Sequence, residues 1–300
     1  MTGLPPLLLV WWLLVAAFLL LHFIYFNFDK LPDLLKRSLV YGKVRNEKAL
    51  KLKSLFERVL DVPKSYFLHF YLLSFFWNSF LLACLINAWF FNGSFPQKII
   101  DFLKLLTYYP EESSPHLNIL LGQMMVVVQA TRRTYETLFV SSYSNSKMHL
   151  FHYLLGCFFY FAMGPSLLSK APDLNRGTIL QLGDVRLNHI IGISMFVWAS
   201  LHHYRAHKIL ADLRKGKHDK SHKIPHGDWF EMVSCPHYLA EIIIYFSILV
   251  VLGFDHTFWW GVFAFTLSNQ SVAAKFVHRW YLETFPSYPR QRTAVIPRVF

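Results

Sequence analysis

Charge is scarce in this chain of 300 residues: Asp, Glu, Lys and Arg together make up 16% of it. A water-soluble domain normally carries about 25%, so the ordinary solvated surface is missing. Acidic residues are the rarer sign, 18 against 30 Lys and Arg, for a net charge of +12. Cysteine is scarce as well. Cys84, Cys157 and Cys235 have no metal-binding spacing, and an odd number argues against a disulfide framework. The glycine-bearing signatures of soluble enzymes are absent too: no GxGxxG after a strand, no GxxxxGK[ST], no GxSxG elbow, and no HExxH either. Rossmann, P-loop, α/β-hydrolase and zincin chemistry fall with them. No Gly/Ser linker, low-complexity tract or internal repeat divides the chain, which reads as a single membrane-embedded domain over 1–300.

What is present is apolar bulk: 54% hydrophobic residues, with 29 Phe and 9 Trp. Seven apolar segments stand out, at 5–26, 66–91, 117–140, 148–168, 188–203, 237–252 and 257–276. The first lacks a basic leader and a cleavage site, so it reads as a retained helix and not a signal peptide; it exceeds the roughly 20 residues that span a bilayer. The expected fold class is an all-α integral membrane bundle of about seven transmembrane helices. Ten basic residues lie between the first two segments, seven run from Arg205 to Lys223, and the turn at 253–256 has none. That alternation predicts a lumenal N-terminus and a cytosolic C-terminus. The basic stretches sit between apolar runs without a nucleic-acid motif, so they point to anionic lipid or phosphate and not to DNA or RNA. Nothing in the sequence names a protein partner.

Ionisable residues inside membrane segments mark functional sites or helix partners. Arg133 and Glu136 are three apart and can pair on one helix face; a snorkelling interfacial cluster is the plainer alternative. His237 and Glu241 are four apart on one face, behind Pro236 at a helix start, where anions bind well; a structural pair is equally compatible with the spacing. His202, His203 and His207 are close in sequence but form no known ligand box, so no metal is expected.

The last hundred residues, about 200–300, carry a specific resemblance. The run 209–215, the run 223–241 with its IP-x-G, F, VS and terminal Glu, and the ending with His278, Trp280, Tyr281, Tyr288, Pro289 and 294–300 are similar to the steroid 5α-reductase family. Tyr41-Gly42-Lys43 resembles its short YGK element. Residues 61–64, 69–71, 77–78, 227–230 and 236–241 look most like the branch acting on long isoprenoid aldehydes. His237 stands where steroid-reducing members have Asn, and His207 where they have an acidic residue.

The resemblance implies NADPH-dependent reduction of a carbon–carbon double bond conjugated to a carbonyl, with polyprenal as substrate, in the endoplasmic reticulum membrane. It implies cofactor contacts at Tyr41, Arg214, Lys223, His237, Glu241 and Tyr281. The carbonyl oxygen gathers charge and needs a donor, for which Tyr135 is the first candidate, with Asp61, His69, Tyr71 or Glu136 as its partner. His278 is assigned to the cofactor or to proton delivery. The competing readings are a steroid enone reductase, an enoyl-CoA reductase, an isoprenylcysteine methyltransferase-like enzyme, and a transporter or lipid-binding protein.

Overall fold

The computed structural model describes residues 3–25, 61–107, 113–141, 147–213 and 222–299. Among them are eight α-helices: α1 (Pro6–Tyr25), α2 (Phe67–Phe90), α3 (Gln97–Thr107), α4 (His116–Tyr135), α5 (Leu150–Leu168), α6 (Leu187–Asp212), α7 (Pro236–Leu252) and α8 (Thr257–Thr284). Two three-residue strands, β1 (Asp61–Pro63) and β2 (Lys147–His149), pair antiparallel and tie the start of α2 to the start of α5.

All seven apolar segments are helical. The additional helix is α3, whose eleven residues are too few for a bilayer-length window to register. It forms because Ile100, Leu103 and Thr107 recur at helical spacing and are buried, while Lys98, Asp101 and Lys104 take the other face. The sequence also ends α6 and α8 too early. At 26 and 28 residues they are about 39 and 42 Å long, beyond the roughly 30 Å hydrocarbon layer, so both carry polar extensions past the expected membrane segments.

Among the described residues, three helices are long and apolar enough to cross a membrane by length and composition: Pro6–Ile24, Lys64–Phe90 and Leu150–Leu168. The others fall short for identifiable reasons. α4 ends in Gln129, Arg132 and Arg133, α6 carries His189, His202, His203 and His207, and α8 carries Asn269, Gln270 and Lys275. α7 is apolar but has only 17 residues.

α6 lies along α7, α1 along α8, and α2 against both α4 and α5. The α6–α7 approach depends on Gly192, where a Cβ would sit 2.8 Å from the Ser247 carbonyl oxygen, a backbone atom that cannot give way. α1 is pinned by Trp11, fully buried, whose indole N–H donates to Ser166 Oγ at 2.8 Å. Meanwhile Ile190, Ile191, Val197, Trp198 and Leu201 expose one apolar flank of α6. A face of that kind suits lipid better than water.

The turn before α8 is locked by His256, which is fully buried. Its Nδ1 accepts from the Trp259 N–H at 3.3 Å, so Nε2 carries the proton and donates to the Leu167 carbonyl at 3.1 Å. Only the neutral ring satisfies both bonds, and burial pushes its pKa down from 6.5 to about 4. The unfolded chain therefore binds the extra proton first as pH falls. This group's contribution, up to about 3 kcal/mol, is present above pH 6.5 and is lost between there and about pH 4. A His256→Asn variant, which keeps a capping side chain, should lose less thermal stability over that window than the parent in detergent. An equal loss in both would contradict the assignment.

Candidate functional site

The last turn of α4 continues into a π-helical turn, Glu136–Val140, a wider geometry often found at functional sites. Glu136 turns inward, with no exposed surface, and both Arg132 and Arg133 pair with its carboxylate. Two guanidiniums around one carboxylate leave net positive charge inside the protein. Glu241 on α7 lies in the electrostatic reach of both arginines. The formal charges of the four side chains, two positive and two negative, balance.

The arginines join this centre to its neighbours. Arg133 Nη2 donates to Tyr71 Oη of α2 at 2.8 Å, with its guanidinium 4.7 Å from the Tyr71 ring centre. Arg132 Nη2 reaches Gln129 Oε1 and His203 Nδ1, each at 2.7 Å. Because arginine only donates, His203 Nδ1 accepts and its Nε2 carries the proton. His203 then donates to His207 Nε2, 3.1 Å away. The same logic fixes the Gln129 amide, oxygen toward Arg132. On α7, Glu241 Oε2 accepts from Gln270 Nε2 of α8 at 2.7 Å.

Unsatisfied groups in this region are mostly donors. Gln129 Nε2, Arg132 Nε and Arg133 Nε are buried with no hydrogen-bond partner among the described residues, as is the Tyr245 hydroxyl on α7. Each such group costs about 1–3 kcal/mol if left unpaired. The arrangement favours an acceptor-rich guest.

Glu136, His203 and His207 bring ligand atoms within 4.8 Å of one another and match a metal site by residue type. Their atoms are already engaged: both carboxylate oxygens with arginines, His203 with Arg132 and His207. A dication taking one Glu136 oxygen would have to displace the guanidinium that holds it.

A second polar cluster closes the C-terminal end. Ser234 Oγ lies 2.6 Å from His278 Nδ1 and 2.7 Å from Tyr288 Oη, and the Tyr281 ring stacks on Tyr288 at 4.9 Å. The buried Arg292 donates to the Pro225 carbonyl at 2.9 Å and to Glu231 at 3.1 Å. The Gly227 N–H, at 2.7 Å, and then Arg292 hold the Glu231 carboxyl below its usual range. Backbone bonds from Ser234 N to Thr293 O and from Cys235 N to Ala294 O sew the tail to the start of α7. His202 points away from His203: it bonds Asp228 at 2.7 Å and stacks on Trp229, fixing the loop to α6.

Residues 177–300 match the family described as 3-oxo-5-alpha-steroid 4-dehydrogenase. Over almost the whole chain, the similarity is to polyprenal reductases. That of Xenopus laevis is 38% identical, covering 99% of this chain and 97% of its own length. That of Homo sapiens is 36% identical, covering 100% and 97%, and that of Danio rerio 34%, covering 97% of each. The chain belongs to the polyprenal reductases of the steroid 5α-reductase family.

Against that family identity, the residues singled out in the sequence fall into three groups. His237 and Glu241 lie with the ionic centre: the His237 ring is 5.5 Å from that of His207, and Glu241 faces the arginines. His278 and Tyr281 belong to the tail cluster, while Lys223 donates to the Leu213 carbonyl at 3.3 Å near the end of α6. Tyr41 and Arg214 lie outside the described residues. Tyr135 is not brought to either cluster. It is 55% exposed and its ring lies 5.0 Å from Phe139, because adjacent residues on α4 point to different sides and Glu136 takes the inner one. Of its suggested partners, Tyr71 and Glu136 reach the centre, His69 bonds Tyr153, and Asp61 sits in the β1–β2 ladder. Arg132, Gln270 and Tyr245 were not singled out by sequence reasoning, and His203 was weighed there only as a metal ligand. The i,i+4 spacing of Arg132 with Glu136, and of Glu241 with Tyr245, was the available signal.

Removing the shared carboxylate leaves two buried guanidiniums uncompensated. Glu136→Gln should destabilise the protein by about 3–5 kcal/mol, read as a lowered unfolding midpoint in detergent, whereas Tyr135→Phe should leave it unchanged. Equal midpoints for the parent and Glu136→Gln would show that Glu136 is not the compensating charge.

Proposed function

We propose that this chain reduces the carbon–carbon double bond conjugated to the aldehyde of polyprenal, using NADPH, on the route to dolichol in the endoplasmic reticulum membrane. The observation that carries the reading is the near-full-length similarity to polyprenal reductases. The topology proposed with it has seven membrane-crossing helices in one domain, the N-terminus lumenal and the tail cytosolic.

The residues present fit the cofactor. The buried unpaired donors Gln129 Nε2 and Arg132 Nε, beside the Glu241 carboxylate, suit a guest that both accepts and donates hydrogen bonds, as a carboxamide and ribose hydroxyls do. Lys223, with Arg214 and the rest of the basic stretch 205–223, supplies cations for phosphates, including the 2′-phosphate that separates NADPH from NADH. Bound NADPH would supply the hydride that becomes the new C–H bond at the β-carbon. His237 and Glu241 would hold the ribose or nicotinamide end, and Tyr41 and Tyr281 would complete the cofactor contacts. His278, its Nδ1 held by Ser234, would serve the cofactor or proton delivery. A long isoprenoid enters from the bilayer and leaves its tail in lipid, so that only the enal needs to reach the polar centre.

Purified protein in detergent should oxidise NADPH in step with polyprenal consumption, prefer it over NADH, and turn over testosterone-like enones slowly. Glu241→Gln and His237→Ala should each lower turnover by at least about tenfold while the protein stays membrane-inserted. Efficient steroid reduction with polyprenal left untouched would overturn the substrate assignment.

A further inference from the structure

The carbonyl oxygen of an enal takes up negative charge as hydride reaches the β-carbon, and a neutral donor aimed at it stabilises the transition state most in a dry site. The sequence nominates Tyr135, which faces outward. The interior holds another phenol with the required properties. Tyr245 is 1% exposed, and its hydroxyl has no hydrogen-bond partner among the described residues. It lies within electrostatic reach of Glu241, Tyr71 and Arg133, so its hydroxyl borders the ionic centre while its ring packs in the apolar core.

Its position on α7 adds a second, independent observation. His237, Glu241 and Tyr245 recur at four-residue steps, which places them on one helical face, each about 6 Å deeper than the last. His237 stands in the first turn of α7, next to the tail and the loop. Glu241 follows with Gln270 and the arginines, and Tyr245 comes last, edge-on to Phe159 at 5.4 Å. A water-soluble reductant held at the first two residues would lie on the same helical face as the third. A lipid aldehyde coming from the bilayer meets the same level from the apolar side. A buried hydroxyl costs stability unless it is bonded, so a phenol held there without a partner is explained by a guest that accepts from it.

Resting on the functional reading above, we propose that Tyr245 is a catalytic residue, its hydroxyl donating to the aldehyde oxygen of the substrate. The carbonyl π pair moves onto that oxygen as the C=C pair shifts to the bond between the α-carbon and the carbonyl carbon. Bound NADPH would give up the hydride that bonds the β-carbon, and a proton from water would complete the α-carbon as the carbonyl re-forms. Tyr245 keeps its proton throughout; its bond to oxygen shortens and lengthens with the charge. Arg133, bonded to Tyr71 and Glu136, lies within electrostatic reach of Tyr245 and adds positive potential there.

Tyr245→Phe removes one oxygen atom and tests this directly. Turnover with saturating NADPH should fall by about 10²–10³-fold, with the NADPH Kd within about twofold of the parent. The thermal midpoint should be equal or higher, because the lost hydroxyl was unpaired; a structural hydroxyl would lower it. A measurement without turnover uses a saturated isoprenoid aldehyde, labelled with 13C at the carbonyl, bound beside NADP+. Its carbonyl stretch should be lower in the parent than in detergent alone and should return to the detergent value in Tyr245→Phe. Turnover within about threefold of the parent, or an unshifted stretch in the parent itself, overturns the assignment. If the parent shows the shifted stretch but consumes no polyprenal, the functional reading fails while the donor site stands. If polyprenal is consumed equally by both, the reverse holds.

Discussion

Glu136 sits where two arginines of the same helix converge, and the rest of the interior is organised around that convergence. A guanidinium in a membrane-spanning bundle is expensive unless compensated, and here one carboxylate serves two of them. The remaining charge draws in Glu241 from α7, the remaining hydrogen bonds draw in Tyr71 from α2 and His203 from α6. Four helices therefore meet at a single electrostatic point. Their registers are set by it as much as by apolar packing, which is permissive among so many Phe and Leu side chains.

The tail contributes the complementary closure. Arg292 is buried although it is charged, and it holds the Pro225 carbonyl and Glu231 while lying over the Tyr288 ring at 5.5 Å. Through Ser234 the same cluster fixes His278, and through backbone bonds it fixes the start of α7. α7 is thus anchored at its polar end by the tail and at mid-length by the ionic centre. A helix held in this way presents His237, Glu241 and Tyr245 in a fixed order of depth, the preorganisation that the proposed hydride transfer would require.

The helices were legible in the sequence wherever apolar residues ran long enough. The seven apolar segments all became helices; α3 was hidden because its stripe of Ile100, Leu103 and Thr107 is short and interleaved with charge. The site was legible only in part. The Arg133–Glu136 pairing and the shared face of His237 and Glu241 follow from helical spacing alone. Which neighbour turns inward does not, since Tyr135 and Glu136 are adjacent and only the packing of the surrounding helices decides that Glu136 is buried. Contacts between distant segments, such as Arg132 with His203 or Gln270 with Glu241, have no local signature. Tyr245 escaped notice because a tyrosine in an apolar helix looks like packing until its hydroxyl is seen to lack a partner.

The direction of hydride delivery tests the central claim most directly. NADPH carrying deuterium at the transferable position of C4 would be incubated with the purified protein and polyprenal, and the product analysed by mass spectrometry and NMR. One deuterium per molecule on the β-carbon of a product saturated at the α,β bond is the expected result. Deuterium on the carbonyl carbon of an allylic alcohol, with the double bond intact, would contradict it and make the protein an ordinary aldehyde reductase.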